Sequence, residues 1–301
     1  MSVSKRLSQV LASAKVLYFD DNSRFVLMSD CHRGDGSWSD NFLKNQNLFF
    51  AALTYYYENK YTYIELGDGD ELWENRRLDQ IVSVHSDAFW IMSQFYKENR
   101  FYMLYGNHDM VKKKSKYINH HCSSYFSESD RMVYNLFPDI EVHEGILLKN
   151  YRKDYQILLA HGHQGDLLND TFWRINRFFV RYLWRQLELI GFQDPTSTAK
   201  NYSKKQKTEL RMMHWVDKNN QMLIAGHTHR PVFPKVGETL YFNDGSCVHP
   251  RCITAIEIWN GSIALVKWAV KTREDRSLYV DKEVLEGPVL LDEYMNHQKP
   301  D

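Results

Sequence analysis

Five short apolar runs in this chain each stop at a glycine, an acid or a histidine. Arg24 to Ser29 runs into Asp30-Cys31-His32-Arg33-Gly34-Asp35-Gly36, and Tyr61 to Leu66 into Gly67-Asp68-Gly69-Asp70-Glu71. Phe101 to Tyr105 runs into Gly106-Asn107-His108-Asp109, and Tyr155 to Ala160 into His161-Gly162-His163. Met222 to Ala225 runs into Gly226-His227-Thr228-His229-Arg230-Pro231. Runs of this length and composition read as buried strands. Helical patterns follow the first two, over 40–60 and roughly 77–98. Strands alternating with helices imply a largely parallel sheet flanked by helices. In such folds ligands bind beyond the carboxyl ends of the strands, where these stretches would converge.

The rest of the chain is less regular. Residues 1–15 carry Leu7, Val10 and Leu11 at helical spacing. Lys112, Lys113, Lys114 and Lys116 read as a solvated basic loop, and Glu141 to Lys149 as a hairpin around Gly145. Residues 167–220 are expected to be mainly helical. Thr239 to Phe242, Ile253 to Trp259 and Ile263 to Val270 read as strands, with an Asn260-Gly261 turn between the last two. The charged tail from about 274, with its apolar island Val289 to Leu291, reads as peripheral. One domain over 1–301 with a helical insertion fits better than two.

Net charge is zero, so bulk electrostatics do not favour a polyanion such as duplex DNA. Cys31, Cys122, Cys247 and Cys252 form no CxxC pair, which suits reduced thiols in a cytoplasmic protein. The first fifteen residues lack the apolar core of a signal peptide. No apolar run approaches the roughly eighteen residues of a membrane span.

Taken singly, each strand-end motif is weak: a Gly-Asp is usually a turn, and a His-x-His pair usually two loop histidines. Together, the set D-x-H, G-D, G-N-H-D, H and G-H-T-H over about residues 25 to 245 resembles the calcineurin-like metallophosphoesterase superfamily. The resemblance implies an α/β fold, a four-layer α-β-β-α sandwich, holding two divalent transition-metal ions. It assigns Asp30, His32 and His229 to the first ion and Asn107, His161 and His227 to the second, with Asp68 bridging both. Two such ions about 3.5–4 Å apart clamp a phosphoryl group and acidify a shared water. A bridging hydroxide would then attack phosphorus in line. Mixed imidazole and carboxylate ligands suit manganese first, with iron, zinc or nickel as alternatives, rather than calcium.

His108 follows Asn107 without being an expected ligand. The resemblance makes it the acid that protonates the leaving oxygen, or a stabiliser of the transition state. Glu71 stands where related enzymes keep an acidic partner for that histidine, with Asp70 and Asp109 as rivals. The plainer reading is that Glu71 or Asp70 caps a helix starting near Leu72. Arg33 and Arg230 can face the cleft and hold phosphate bidentately, or pair with nearby acids. His163 is expected to lie behind the ligands.

In the insertion, about 167–220, Arg174, Arg177, Arg181 and Arg185 fall within an arc of about 80° on a helix over Phe172 to Phe192. Such a stripe among aromatics can bind substrate phosphate, lie on anionic lipid as a peripheral membrane contact, or face solvent. A helical insertion at this position is similar to that of UDP-2,3-diacylglucosamine pyrophosphohydrolases, where it covers a lipid-nucleotide substrate. One departure is His108, where that branch often has Arg. The expected activity is hydrolysis of a small phosphodiester or pyrophosphate, lipid- or nucleotide-linked. Phosphomonoesterase, protein phosphatase and nuclease are the enzymatic alternatives, and a non-catalytic scaffold of the same fold is the other.

Overall fold

The computed structural model describes residues 2–127, 131–166, 169–170, 172–184 and 202–296. The strands in chain order are β1 Lys15–Phe19, β2 Phe25–Met28, β3 Thr62–Glu65, β4 Phe101–Leu104, β5 Ser124–Ser127, β6 Met132–Asn135 and β7 Val142–His143. They continue as β8 Gly145–Asn150, β9 Gln156–Ala160, β10 Met222–Ala225, β11 Tyr241–Asn243, β12 Cys252–Trp259, β13 Ser262–Thr272 and β14 Leu278–Leu290. One sheet has the order β14-β13-β12-β2-β3-β4-β7 and the other β1-β8-β9-β10-β11. The run β2-β3-β4-β7 is parallel, as is β9-β10-β11.

Every residue of β2 is buried, because both faces of the strand are covered. Alternate side chains go opposite ways. Val26 and Met28 pack with Phe49, Leu53 and Phe95 of the helices Gln46–Glu58 and Ser86–Lys97. Leu27 faces the gap between the sheets, in one continuous core with Leu148, Leu159, Leu223 and Phe242. Leu7, Val10, Met212 and Trp215, from the helices Val3–Ser13 and Tyr202–Asn219, join that core. The result is helix, sheet, sheet, helix, as the resemblance implies. All four cysteines are free, and three of them are buried.

Several boundaries differ from expectation. The segment 141–149 is not a hairpin: β7 pairs with β4 in one sheet, while β8 pairs with β1 and β9 in the other. Glu144 is the crossing point. The helix expected over 77–98 is two, Leu78–Val84 and Ser86–Lys97. They divide at His85, whose buried ring meets Asp40 Oδ2 at 2.8 Å. The tail is not peripheral. It forms β14 along β13, stitched by Lys267–Glu283 and Lys271–Asp281 pairs, and ends in a helix that buries Leu291 and Tyr294. No described helix is long and apolar enough to cross a membrane.

Candidate metal centre

The ends of β2, β3 and β4, neighbours in one sheet, meet the ends of β9 and β10 of the other. Backbone bonds fasten the loops to one another: Asp30 N donates to Gly67 O at 3.1 Å, His32 N to Asp68 O at 2.9 Å, and Gly226 N to His161 O at 2.9 Å. Asp30, His32, Asp68, His227 and His229 all have positive φ, between 47° and 67°. This left-handed conformation costs an L-residue on the order of 1 kcal/mol. It lets the chain turn sharply at each strand end with the ligating side chain pointing inward. Two glycines permit the close approach of the loops. A Cβ on Gly106 would lie 2.1 Å from Asp68 Oδ1, and one on Gly226 2.1 Å from Ser29 Oγ.

Among the described residues the donor atoms fall into three groups, the atoms of each within 4.8 Å of one another: Asp30, His32 and His229; Asp68, His161 and His227; and His32, Glu71 and His108. The third is closed by its own hydrogen bonds, Glu71 meeting Nδ1 of both rings at 2.9 Å, which leaves the first two as the ligand groups. Asp30 Oδ1 stands 3.0 Å from His229 Nε2 and 3.6 Å from His32 Nε2. Asp68 Oδ2 stands 3.1 Å from His161 Nε2 and 3.9 Å from His32 Nε2, so it faces both groups. The outer oxygens are already used: Asp30 Oδ2 accepts from His227 N at 2.8 Å and from the Ser29 hydroxyl, and Asp68 Oδ1 accepts from His108 N at 2.7 Å. His161 Nδ1 donates to Leu66 O at 2.9 Å, which turns the Nε2 lone pair inward. Asp30 Oδ1, Asn107 Oδ1, His161 Nε2 and His227 Nε2 are among the buried side-chain atoms that have no hydrogen-bond partner. Orphaned buried acceptors are costly unless something binds them, and a pair of divalent cations fits this donor set.

The electrostatics agree. Burial opposes ionisation of Asp30, yet His229 and His161 hold it well below the usual carboxylate range. Burial lowers His161, but Asp68 and Asp30 overcome it and raise the ring to about 9, so these carboxylates draw positive charge to Nε2, a charge that a bound cation would supply in place of the proton. Burial and His161 push His227 down to about 4, so that ring is neutral with its lone pair free.

His108 is gripped on two sides. Its Nδ1 lies 2.9 Å from Glu71 Oε1, and Trp73 stacks on its ring at 4.3 Å and 22°. Glu71 Oε2 also holds His32 Nδ1 at 2.9 Å. Burial lowers His108, but Glu71 overcomes this and raises it, favouring the imidazolium. No helix starts near Leu72; Glu71 Oε1 instead accepts from Trp73 N and Glu74 N in a turn at 3.2 and 3.3 Å.

The rival acids are committed elsewhere. Asp70 binds Arg33 Nε and Lys112 Nζ, each at 2.7 Å. Asp109 binds Lys112 Nζ at 2.9 Å and accepts from Gly106 N at 2.7 Å. This corrects two expectations. Arg33 does not face the cleft: it is fully buried, with Glu65 accepting from both terminal nitrogens at 2.8 and 3.0 Å. Its side chain turns away from His32 into the sheet–helix layer. Lys112 is likewise buried rather than solvated, because the turn Met110–Lys113 packs it under both loops.

The insertion places its arginines differently from one another. It forms a helix Trp173–Phe179 and a wider π turn Val180–Trp184. Arg174 and Arg177 lie over the Trp173 ring, 5.6 and 4.9 Å from its centroid. Arg181 donates to the carbonyls of Leu72, Trp73 and Asn75 instead of standing free in the cleft. Arg185 lies outside the described residues. Arg230 pairs with Glu209, which also accepts from Thr228 Oγ1 at 2.9 Å. His163 is buried behind the ligands, its ring 5.4 Å from that of His161. Ser29 was not anticipated: its hydroxyl links Asp30 to Asp244, whose Oδ1 it meets at 2.8 Å. A serine inside a strand-like run carries no signal of such a role. Trp73 was also missed, although an aromatic two residues after an acid at a strand end is at least a hint.

A family model described as calcineurin-like phosphoesterase matches residues 23–231. Among solved structures, Vps29 of Chaetomium thermophilum matches at 11% identity and a TM-score of 0.40, over 88% of this chain and 97% of that one. A search of curated proteins returns no match.

Proposed function

The chain belongs to the calcineurin-like phosphoesterase family, and on that premise we propose that it is a two-metal phosphohydrolase cleaving a phosphodiester or pyrophosphate bond in a small substrate. The observation that carries this reading is Asp68, whose Oδ2 stands between the Asp30–His32–His229 group and the His161–His227 pair. Asp30, His32 and His229 would hold one ion, and Asn107, His161 and His227 the other, with Asp68 shared. When bound, such ions supply Lewis acidity toward the phosphoryl oxygens and acidify a water.

The protein's own part is positional and protonic. Glu71 accepts at His108 Nδ1, which leaves Nε2–H as the donor toward the leaving oxygen. Against its burial, the Glu71 carboxylate raises His108 and so favours the protonated ring that this role needs. After transfer, the neutral ring still donates Nδ1–H to Glu71 and stays in place. On this reading the chain is one domain over 1–301, and the insertion, about 167–220, would serve as a lid-like cover.

A lipid-linked substrate is supported by one feature. Phe172, Ile175, Phe178 and Phe179 are exposed beside Arg174 and Arg177, an apolar and basic surface suited to an acyl chain near a phosphate. A manganese-supplemented panel of mono-, di- and pyrophosphate esters, with and without acyl chains, tests the reading. Higher kcat/KM on diesters or pyrophosphates supports it, and a preference for monoesters contradicts it.

A further inference from the structure

The insertion reaches the reaction centre through Arg181. The stretch 71–77 lies outside any helix or strand, so its carbonyls need partners from elsewhere. Arg181 provides them: Nε donates to Trp73 O at 2.8 Å, and Nη2 to Leu72 O at 2.8 Å and Asn75 O at 3.1 Å. A planar guanidinium presents its donors in a rigid fork that can fix three carbonyls in one geometry, whereas an ammonium offers three rotatable donors from one point on a flexible stem. The same loop carries both groups that fix His108, the Glu71 carboxylate at Nδ1 and the Trp73 indole on the ring face. The insertion's Trp173 and Val180 pack with Trp73, Tyr105 and Met110 in one buried cluster, backing the indole from behind.

We infer that Arg181 is a positioning residue: by clamping the loop 71–75 it sets the orientation of His108, so that the insertion is required for protonation of the leaving group as well as for covering substrate. The inference rests on the phosphohydrolase reading. It follows that Arg181 matters most where the leaving group needs a proton. A good leaving group departs with little help, whereas a poor one depends on an aligned acid.

The test compares manganese-loaded wild type with Arg181→Ala and Arg181→Lys on thymidine 5′-phosphate esters of p-nitrophenol and of phenol. Arg181→Ala should lose kcat roughly 10- to 100-fold on the phenyl ester, part of what an aligned general acid contributes. On the p-nitrophenyl ester the loss should be several-fold smaller, with KM and metal content close to wild type on both. Arg181→Lys should recover only part of the loss. Equal losses on both esters, or a raised KM with kcat intact, would overturn the assignment in favour of a structural or a substrate-contacting role. If Arg181→Ala does not fold, Arg181→Lys carries the same comparison. If wild type hydrolyses neither these esters nor any member of the ester panel, the phosphohydrolase reading fails on its own. The clamp is then read from amide hydrogen exchange over 71–75, and unchanged protection in Arg181→Ala would overturn it.

Discussion

His108 donates its backbone N–H to Asp68 Oδ1 at 2.7 Å, which ties the loop of the proton donor to the carboxylate that faces both ligand groups. Asp68→Asn keeps the shape and an acceptor for that N–H, but removes the charge that holds two cations together. We expect loss of at least about half the bound metal and a fall in kcat of about 100-fold or more. Elemental analysis beside steady-state kinetics checks it, and full metal occupancy in the variant would contradict the shared role.

His108→Ala should lower kcat by about 10²- to 10⁴-fold while leaving metal content unchanged, because the ring spends its Nδ1 on Glu71 and lies outside the two groups that Asp68 faces. Mass spectrometry of the native protein together with turnover separates the two effects. A variant that loses its metal along with its activity would place His108 among the ligands instead.

Gly106→Ala puts a Cβ 2.1 Å from Asp68 Oδ1 and 2.6 Å from Asp68 N. Backbone as well as side chain must move, so the second and third loops have to separate. Overpacking of this kind costs roughly 1–3 kcal/mol. Thermal unfolding should show the loss, and manganese affinity should fall with it; a wild-type Tm would count against the tight contact.

The buried charges beneath the site predict an acid-sensitive stability. Burial opposes ionisation of Asp70, but Arg33 and Lys112 overcome it and hold the carboxyl at about 2. A depressed folded value contributes stability that is complete above the ordinary carboxylate range, near 4. It is lost as pH falls toward about 2. The contribution is on the order of 2 kcal/mol. Asp70→Asn leaves Arg33 and Lys112 short of a counter-charge and should destabilise at neutral pH by about 3 kcal/mol. Chemical denaturation at pH 7 and pH 3 should show the gap between variant and wild type narrowing in acid; a constant gap would refute the assignment.

The strand ends were legible because a buried parallel strand is a short apolar run, and glycines, acids and histidines end it visibly. The layered arrangement followed from the same alternation. What pattern alone could not supply was which way a charged side chain turns. Arg33 sits beside His32 yet points into the sheet–helix layer, and Lys112 belongs to a run that reads as solvated until the fold sets Asp70 and Asp109 over it. The charges of β14 hid a strand, because cross-strand pairs such as Lys271–Asp281 stabilise an exposed edge without any apolar alternation. The π turn at Val180–Trp184 was equally invisible, and Arg181 lies in it, on the loop 72–75.

Two ions held at Asp68 and driving phosphoester hydrolysis are the centre of the proposed function. The most direct measurement is metal content of the purified protein together with manganese-stimulated hydrolysis of bis-p-nitrophenyl phosphate. The expected result is close to two transition-metal ions per chain at saturation, and turnover that a chelator abolishes and manganese restores. A protein that binds no transition metal and shows no manganese-dependent hydrolysis would contradict it.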